Sequence, residues 1–236
     1  PHPRLAISFV PDEEIGHGAA LLDLDEQGAA FGYTLDAGPL GVVNVETFNA
    51  ARAHVSFAGF SVHPGTAKGR MVNAVDIACQ FNGLMPPAAK PQYTDGREGH
   101  IMLSRLEGGV EHAEALYILR DHDAELFASK KALVEQAASY VNALYGRVVA
   151  SVEIVDEYRN MADVLQGHPH LLESARTAYE ACGVEMHCEP MRGGTDGAQL
   201  CFRGLPCVNL SAGYHNAHGV KEFVGVRELE MMVDVL

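Results

Sequence analysis

The alternation of apolar and polar positions predicts strands and helices in a clear order along the chain. Short apolar runs between turn residues are typical of buried strands, whereas apolar residues recurring every three to four positions indicate amphipathic helices. Strands are therefore expected at residues 5–10, 31–35, 51–58, 101–106, 113–119, 148–155, 184–188 and 205–211. Helices are expected at residues 71–85, 125–145 and 169–182, with a short helix following residue 197.

The middle of the chain has an order of elements that differs from the rest. Residues 47–156 are predicted to run strand–helix–strand–strand–helix–strand, the βαββαβ arrangement of ferredoxin-like folds. The inward face of the second helix of this insert is expected to carry Leu126, Leu133, Ala137, Val141 and Leu144. Outside the insert, strands alternate with helices, which favours a mostly parallel sheet. The fold class is therefore α/β, with one domain formed by residues 1–46 and 157–236 and interrupted by the insert.

Three predicted strands end in residues that can bind a metal ion. Glu13 and Glu14 follow the first strand in the sequence PDEEIG, Asp36 follows the second strand, and His218 follows the last. Ligands of open α/β sheets bind at the carboxyl ends of the strands. Carboxylate and imidazole ligands suit zinc, or manganese or cobalt in its place, and a glutamate beside a ligand can act as a proton shuttle. A helix start, a turn or the surface explains each residue taken alone better than a metal site does, so only their joint placement favours a site.

Four further residues are candidates for binding or orienting groups. Arg192 lies beside two glycines and could bind a carboxylate with both of its terminal nitrogens. His63 lies in a turn-rich loop from which an imidazole could reach a substrate carbonyl. Asp12 could orient a neighbouring ligand, and Arg120 ends a strand. A solvated arginine, an exposed loop histidine, a turn residue and an ion pair explain the same four positions without a site.

Composition and charge narrow the classes of function. The 236 residues are enough for one large domain or two modest ones. The net charge of −14 argues against nucleic acid and membrane surfaces as partners. It fits a metal ion or a cationic ligand, although solubility alone would also explain it. No apolar run approaches the length of a membrane span, and no signal peptide is visible.

Cysteine usage and the two ends of the chain add two expectations. The five cysteines are odd in number and form no C-x-x-C pair, which favours reduced, mostly buried thiols in a cytoplasmic protein. The chain begins at Pro1 without a methionine and stops at Leu236 inside an amphipathic run. A fragment of a longer protein is therefore expected.

Several motifs, taken in order, resemble the peptidase T family, the bacterial aminotripeptidases of the co-catalytic di-zinc peptidases. The motifs are PDEEIG, TLDAG, GFSVHPGTAKGRMVNA, ILRDHD, RGGTDGAQLCFRGLPCVNL and NAHGVKEF. The resemblance implies a cytoplasmic hydrolase that releases the N-terminal residue of tripeptides with two zinc ions in a complete site. It implies that residues 1–46 and 157–236 belong to the catalytic domain. Residues 47–156 would form a lid domain that can also support a homodimer.

The resemblance also assigns roles to the candidate metal-site residues. Glu13 would be the general base and acid that activates water at the metal site. Glu14 and His218 would bind one zinc ion, and Asp36 would bind the other.

Three more residues receive substrate-directed roles from the same resemblance. His63 would stabilise the oxyanion that develops on the scissile carbonyl. Arg120 and Arg192 would hold the carboxylate end of the peptide.

One part of the family pattern has no counterpart in this sequence. Members also carry a His-x-Asp pair and a second aspartate that bridges the two metals, but no histidine here is followed two residues later by aspartate. Since a catalytic zinc ion normally has three protein ligands, weak or no metal binding is expected of this chain alone. Two alternatives remain: a related di-zinc dipeptidase or acyl-amino-acid deacylase, and an inactive fragment that acts through its lid as an interaction or dimerisation module.

Overall fold

The computed structural model of the chain describes residues 4–236. Its strands are β1 (Gly32–Leu35), β2 (Val42–Asn44), β3 (Asn49–Ala58), β4 (His100–Gly108), β5 (His112–Asp121), β6 (Ala150–Tyr158), β7 (His187–Cys188), β8 (Cys207–Leu210), β9 (Tyr214–His215) and β10 (Phe223–Val224). Its α-helices are α1 (Leu24–Gln27), α2 (Ala74–Gly83), α3 (Ala124–Tyr145), α4 (Ala162–Leu165), α5 (Pro169–Ala181), α6 (Asp196–Phe202) and α7 (Val226–Val235).

The chain divides into two compact units, each with its own core. Unit 1 comprises the residues before Phe48 together with Arg159–Leu236, and unit 2 is the continuous stretch Phe48–Tyr158. The sequence places the insert at residues 47–156. The roles assigned to the two parts, catalytic domain and lid, remain predictions.

Unit 2 is a four-stranded antiparallel sheet with the strand order β4-β5-β3-β6. Strand β3 alternates buried and exposed residues from Ala51 to Ala58, and its buried side packs under α2 and α3. The rings of Phe57, Phe81 and Tyr117 meet in this core, with centroids 5.4 and 5.7 Å apart. The order of elements and of strands confirms the predicted βαββαβ ferredoxin-like arrangement.

A buried ion pair joins the end of β5 to α3 in the same unit. The Asp121 side chain is 2% exposed and its Oδ2 lies 2.5 Å from Nζ of Lys130, which is 17% exposed. Oδ1 of Asp121 also accepts a hydrogen bond from the Asp123 backbone N–H at 3.0 Å. The carboxylate is therefore removed from water but compensated on both oxygens, which is the condition under which a buried charge is tolerated.

Unit 1 is built on a four-stranded sheet with the strand order β1-β8-β2-β7. Strand β1 pairs with β8 and β2 pairs with β7 in parallel, whereas β2 and β8 are antiparallel. The predicted mostly parallel sheet thus holds for two of these three pairings. The β2 strand itself was not expected from the sequence, since three residues are too few to show a period.

A row of buried and half-buried polar side chains crosses the unit 1 sheet and fixes the strands side by side. Thr34 Oγ1 on β1 donates to Asn209 Oδ1 at 2.8 Å, and Asn209 Nδ2 donates to Asn44 Oδ1 on β2 at 3.0 Å. Asn44 Nδ2 in turn donates to the backbone oxygen of Glu189 at 2.9 Å. Because buried amides must find partners, this row ties together the strand ends from which Asp36 emerges.

The first predicted strand is wrong: residues 5–10 form no strand. Leu5, Ile7 and Phe9 are 62%, 77% and 95% exposed. A strand forms only when a neighbouring strand satisfies its backbone hydrogen bonds. Within residues 4–236 no such ladder to residues 5–10 occurs, so the apolar run lies open to solvent.

The predicted burial of the cysteines is wrong for part of the set. Cys201 and Cys207 are buried and Cys182 is half-buried, but Cys79 and Cys188 are exposed. All five are free thiols. No helix within residues 4–236 combines the length and the apolar composition needed to cross a bilayer.

Candidate active site

The PDEEIG segment forms a tight turn that presents two adjacent carboxylates. Glu13–Ile15 is a single 3₁₀ turn bounded by two residues in the left-handed region, Asp12 at φ 65° and Gly16 at φ 77°. Left-handed backbone is uncommon outside glycine, and aspartate is among the residues that tolerate it best. Backbone strain of this kind persists where the surrounding structure imposes it, and it often marks functional sites.

Asp36 lies directly after β1, at the edge where β1 and β8 end together. Its backbone N–H donates to the oxygen of Leu210, the last residue of β8, at 2.9 Å. The Tyr214 hydroxyl donates to the backbone oxygen of Asp36 at 3.4 Å. The sheet therefore fixes the main chain of this residue, and its side chain is half-buried.

His218 lies in the loop between β9 and β10 and contacts one of the two glutamates. Its Nε2 is 3.1 Å from Oε2 of Glu14. Its backbone is left-handed, with φ 60°, and its N–H donates to Oε2 of Glu222 at 2.6 Å. The fold thus brings together two of the predicted ligands that stand at opposite ends of the sequence.

Several negative charges lie close together in this part of the molecule; the carboxylates of Glu13 and Asp36 are half-buried, whereas that of Glu14 is exposed. Burial, followed by the charges of Asp36, Asp196 and Glu14, raises the pKa of Glu13 to about 7, and the His218 ring opposes this shift. Burial and then Glu14 and Asp196 raise the pKa of Asp36 to about 6. Like charges in a half-buried cluster disfavour each other's ionisation, so a cation here would relieve an existing repulsion.

Asp196 also belongs to this cluster, although it is not among the residues predicted from the sequence. It begins α6 inside the RGGTDG motif, is 6% exposed, and burial raises its pKa. From the sequence it looks like an acidic residue at a helix start after the N-cap Thr195, which the helix dipole explains without a site. Its position inside a motif that carries the family resemblance was the available signal.

Of the remaining candidates, His63 and Arg120 belong to unit 2, and Arg192 belongs to unit 1. The exposed His63 ring accepts a hydrogen bond at Nδ1 from the Gly65 N–H at 3.1 Å. Arg120 is half-buried at the end of β5, with its guanidinium 6.0 Å from the centre of the Tyr158 ring. Arg192 is half-buried in the segment that precedes α6.

The donor chemistry suits a divalent metal, but the number of donors falls short. Glu14 and His218 offer a carboxylate and an imidazole within 3.1 Å of each other, and Asp36 offers a second carboxylate, whose pKa is raised first by burial and then by the neighbouring negative charges. Within residues 4–236, however, no three histidine, cysteine, aspartate or glutamate side chains are placed to hold one ion. The residues present thus fit part of a metal site rather than a whole one.

The raised pKa of Asp36 predicts a pH-dependent gain in stability when its charge is removed. Between the ordinary value of 3.8 and about 6, the folded chain binds more protons at Asp36 than the unfolded chain does, so the free energy of unfolding falls as pH rises through this window. Asp36→Asn should therefore raise the free energy of unfolding at pH 7.5 by about 1 kcal/mol, less than the full shift implies because solvent screens a half-exposed cluster. The gain should vanish at pH 4.

Urea denaturation of both proteins at the two pH values measures this effect. The exposed Asp25, on the first turn of α1, supplies the control variant Asp25→Asn, which should show no such pH-dependent gain. A stabilisation by Asp36→Asn of equal size at pH 4 and pH 7.5 would show that the gain does not come from removing the charge of Asp36.

The chain is similar to known peptidases along its whole length. A family model described as a peptidase dimerisation domain matches residues 45–149. Peptidase T of Vibrio parahaemolyticus is 46% identical over 236 residues. The crystal structure of aminopeptidase PepT from Bacillus cereus superposes with a TM-score of 0.80 at 27% identity over 96% of this chain and 62% of that one. A dinuclear metal binding peptidase of the M20 family from Bacillus subtilis shares the fold, with a TM-score of 0.65 at 19% identity over 96% of this chain and 61% of that one.

The matches cover this chain more fully than they cover its relatives. The alignment with the Vibrio protein includes 100% of this chain but 58% of that protein. The chain therefore spans less than three fifths of the length of this curated relative.

Proposed function

We propose that this chain, which is homologous to peptidase T over its whole length, provides part of the catalytic domain and all of the inserted domain of a zinc-dependent aminopeptidase. The proposed reaction is release of the N-terminal residue from tripeptides. One observation carries the proposal: the turn bearing Glu13 and Glu14, the end of β1 bearing Asp36, and the loop bearing His218 form a single acidic cluster.

Within the cluster, three residues are proposed to bind metal ions and a fourth, Glu13, to transfer protons. Glu14 and His218 would hold one divalent ion and Asp36 a second, with the remaining ligands supplied from outside the 236 residues. Divalent ions in such sites act as Lewis acids that polarise a carbonyl and acidify water. Glu13 would take a proton from the attacking water and return it to the leaving amine, and a pKa of about 7 suits both transfers near neutral pH.

Residues outside the cluster are proposed to bind and polarise the peptide. Because Nδ1 of His63 accepts a hydrogen bond, the neutral ring carries its proton on Nε2, which leaves an N–H donor for an oxyanion. Arg120 and Arg192 are proposed to bind the peptide carboxylate, for which guanidinium geometry is well matched. The negative charge of the cluster would attract the free amino terminus of the substrate.

We also propose that the protein is a homodimer and lies in the cytoplasm. The match of residues 45–149 to a peptidase dimerisation domain supports a homodimer formed through unit 2. The cysteine usage described above supports a cytoplasmic location.

Hydrolysis of a panel of peptides by the full-length gene product that contains this sequence tests the proposal. With zinc, manganese or cobalt supplied, free-amino tripeptides should lose their first residue, N-acetylated tripeptides should not react, and dipeptides should react at least about tenfold more slowly in kcat/KM, the loss that about 1.4 kcal/mol of binding produces. Removal of metal with a chelator should abolish turnover, and added metal should restore it, since the proposed chemistry requires a Lewis acid.

The same panel distinguishes the two alternatives. Preference for dipeptides or acyl-amino acids would assign the protein to the related deacylases and dipeptidases. No hydrolysis of any substrate by a metal-loaded protein that forms a stable dimer would leave only the interaction module.

A further inference from the structure

Helix α6 makes a close contact with the segment that follows the two glutamates. The backbone N–H of Ala19 donates to Oδ1 of Asp196 at 2.9 Å across 177 positions of sequence. Ala19 is 1% exposed and Asp196 is 6% exposed. A Cβ atom at Gly18 would lie 2.2 Å from Oδ2 of Asp196, so the carboxylate packs against the backbone where a side chain could not fit.

Two more side chains, one on the helix and one directly after it, bind backbone oxygens of this segment. Gln199 Nε2 donates to the Gly16 oxygen at 2.9 Å. The Arg203 guanidinium donates to the Leu22 oxygen at 2.6 Å and to the Ala19 oxygen. A spacing of three positions places Asp196 and Gln199 on one face of α6, and Arg203 is the residue that directly follows the helix. These side chains thus bind the segment 16–22 at its first residue, in its middle and at its last residue.

The helix is a regular element held by the core of unit 1, whereas the segment has no regular secondary structure, although its Ala19 is buried in the same core. Ala198, Leu200 and Cys201 are buried in the core of unit 1, and the Thr195 hydroxyl caps the helix by accepting from the Gly197 N–H at 3.3 Å. Residues 16–22 form turns and no regular element. Their position is therefore set by α6 rather than by their own secondary structure.

We propose that α6 and the residue that follows it form a clamp in which Asp196, Gln199 and Arg203 are positioning residues that fix the backbone of residues 16–22. The clamp thereby holds Glu13 and Glu14 in place for catalysis. This inference rests on the proposed function, because it assigns the clamp a part in the peptidase reaction. A displacement of about 1 Å in a catalytic group can lower the rate by about 10²-fold, so loosening this segment should lower kcat while KM changes little.

Amide hydrogen exchange and steady-state kinetics on the same variants of the full-length protein test the clamp. In Asp196→Ala, which loses a charge-assisted bond, exchange over residues 16–22 should accelerate at least about tenfold and kcat should fall by about tenfold or more. Asp196→Asn keeps an oxygen at the same position and should hold exchange within about threefold of wild type.

Gln199→Ala is a second variant that tests the clamp, and Thr177→Ala is its control. Gln199→Ala removes a partly exposed bond without opening the core, so it should fold, exchange about two- to tenfold faster over residues 16–22, and lower kcat at constant KM. Thr177→Ala removes an exposed side-chain bond to the Glu173 oxygen elsewhere in unit 1 and should change neither readout. Unchanged exchange over residues 16–22 in both Asp196→Ala and Gln199→Ala would overturn the clamp.

The kinetics separate the clamp from the proposed function. Faster exchange in the variants with an unchanged kcat would show that the contact is merely structural and overturn its catalytic part. A wild-type protein that cleaves no peptide would overturn the proposed function and the catalytic part together, whereas the exchange data would still decide whether α6 holds the segment.

Discussion

Glu13→Gln is expected to lower kcat for tripeptide hydrolysis by roughly 10²- to 10⁴-fold in the full-length protein, the range that general acid–base catalysis supplies. The amide has nearly the shape of the carboxylate but cannot accept the proton of the attacking water. Because Glu13 is not a proposed ligand, metal content should stay at the wild-type value. Steady-state kinetics on a tripeptide, with metal measured in the same sample, give both quantities.

A matched substitution nearby shows whether the loss belongs to this position. Glu26 is an exposed glutamate in the first turn of α1, and Glu26→Gln makes the same chemical change outside the cluster. It should leave kcat and KM unaltered. If Glu13→Gln with its full metal content kept kcat within tenfold of wild type, another group would have to move the proton.

Lys130→Met is expected to lower the free energy of unfolding by about 3–5 kcal/mol, because it leaves the Asp121 carboxylate buried without its cation. The two groups are 2.5 Å apart, and the carboxylate is 2% exposed. Adding Asp121→Asn to the lysine variant removes the stranded charge and should recover much of the loss. Chemical denaturation of the four proteins of this double-mutant cycle measures the coupling between the two residues.

The next residue of the same helix provides the control. Lys131 pairs with Asp156 at 2.9 Å, but the aspartate side chain is 58% exposed. Lys131→Met should cost no more than about 1 kcal/mol, as exposed ion pairs do. Equal losses in the two lysine variants would mean that burial does not set the strength of the Lys130 pair.

The fold of unit 2 could be predicted from sequence because its contacts follow the local patterns. The alternation of apolar and polar residues in β3 is visible in the sequence and present in the structure. The inward face of α3 was predicted less well: Leu126 and Leu144 are 56% and 52% exposed. Ala137 and Val141 are buried as predicted, but they share the buried face with Phe127, Val134 and Ala138. Several helical faces of α3 carry enough apolar residues, and packing against the sheet chooses among them.

The candidate site was predicted less completely because its contacts join distant parts of the chain. A contact between Glu14 and His218 could be expected from the prediction that both follow strands, but residues 5–10 form no strand, and the PDEEIG turn and the loop between β9 and β10 bring the two side chains together instead. The contact of Asp196 with Ala19 could not be expected, since a helix-initial aspartate looks the same in the sequence whether or not a distant backbone N–H binds it. The strand expected at residues 5–10 failed for a related reason: an apolar run predicts burial but does not supply the neighbouring strand.

The placement of the two ends of unit 2 has a consequence for the chain entropy of unit 1. Thr34 on β1 and Asn209 on β8 lie 175 positions apart, and nearly two thirds of the intervening residues belong to unit 2. In folded unit 2, Ala50 and Tyr158 are direct neighbours across β3 and β6, so the loop that β1 and β8 must close is effectively about a third as long. Since loop-closure entropy grows with the logarithm of length, this shortening favours the sheet of unit 1 by about 1 kcal/mol. Folded unit 2 thus stabilises unit 1 as a cross-link would, by lowering the conformational entropy of unit 1 in its unfolded state.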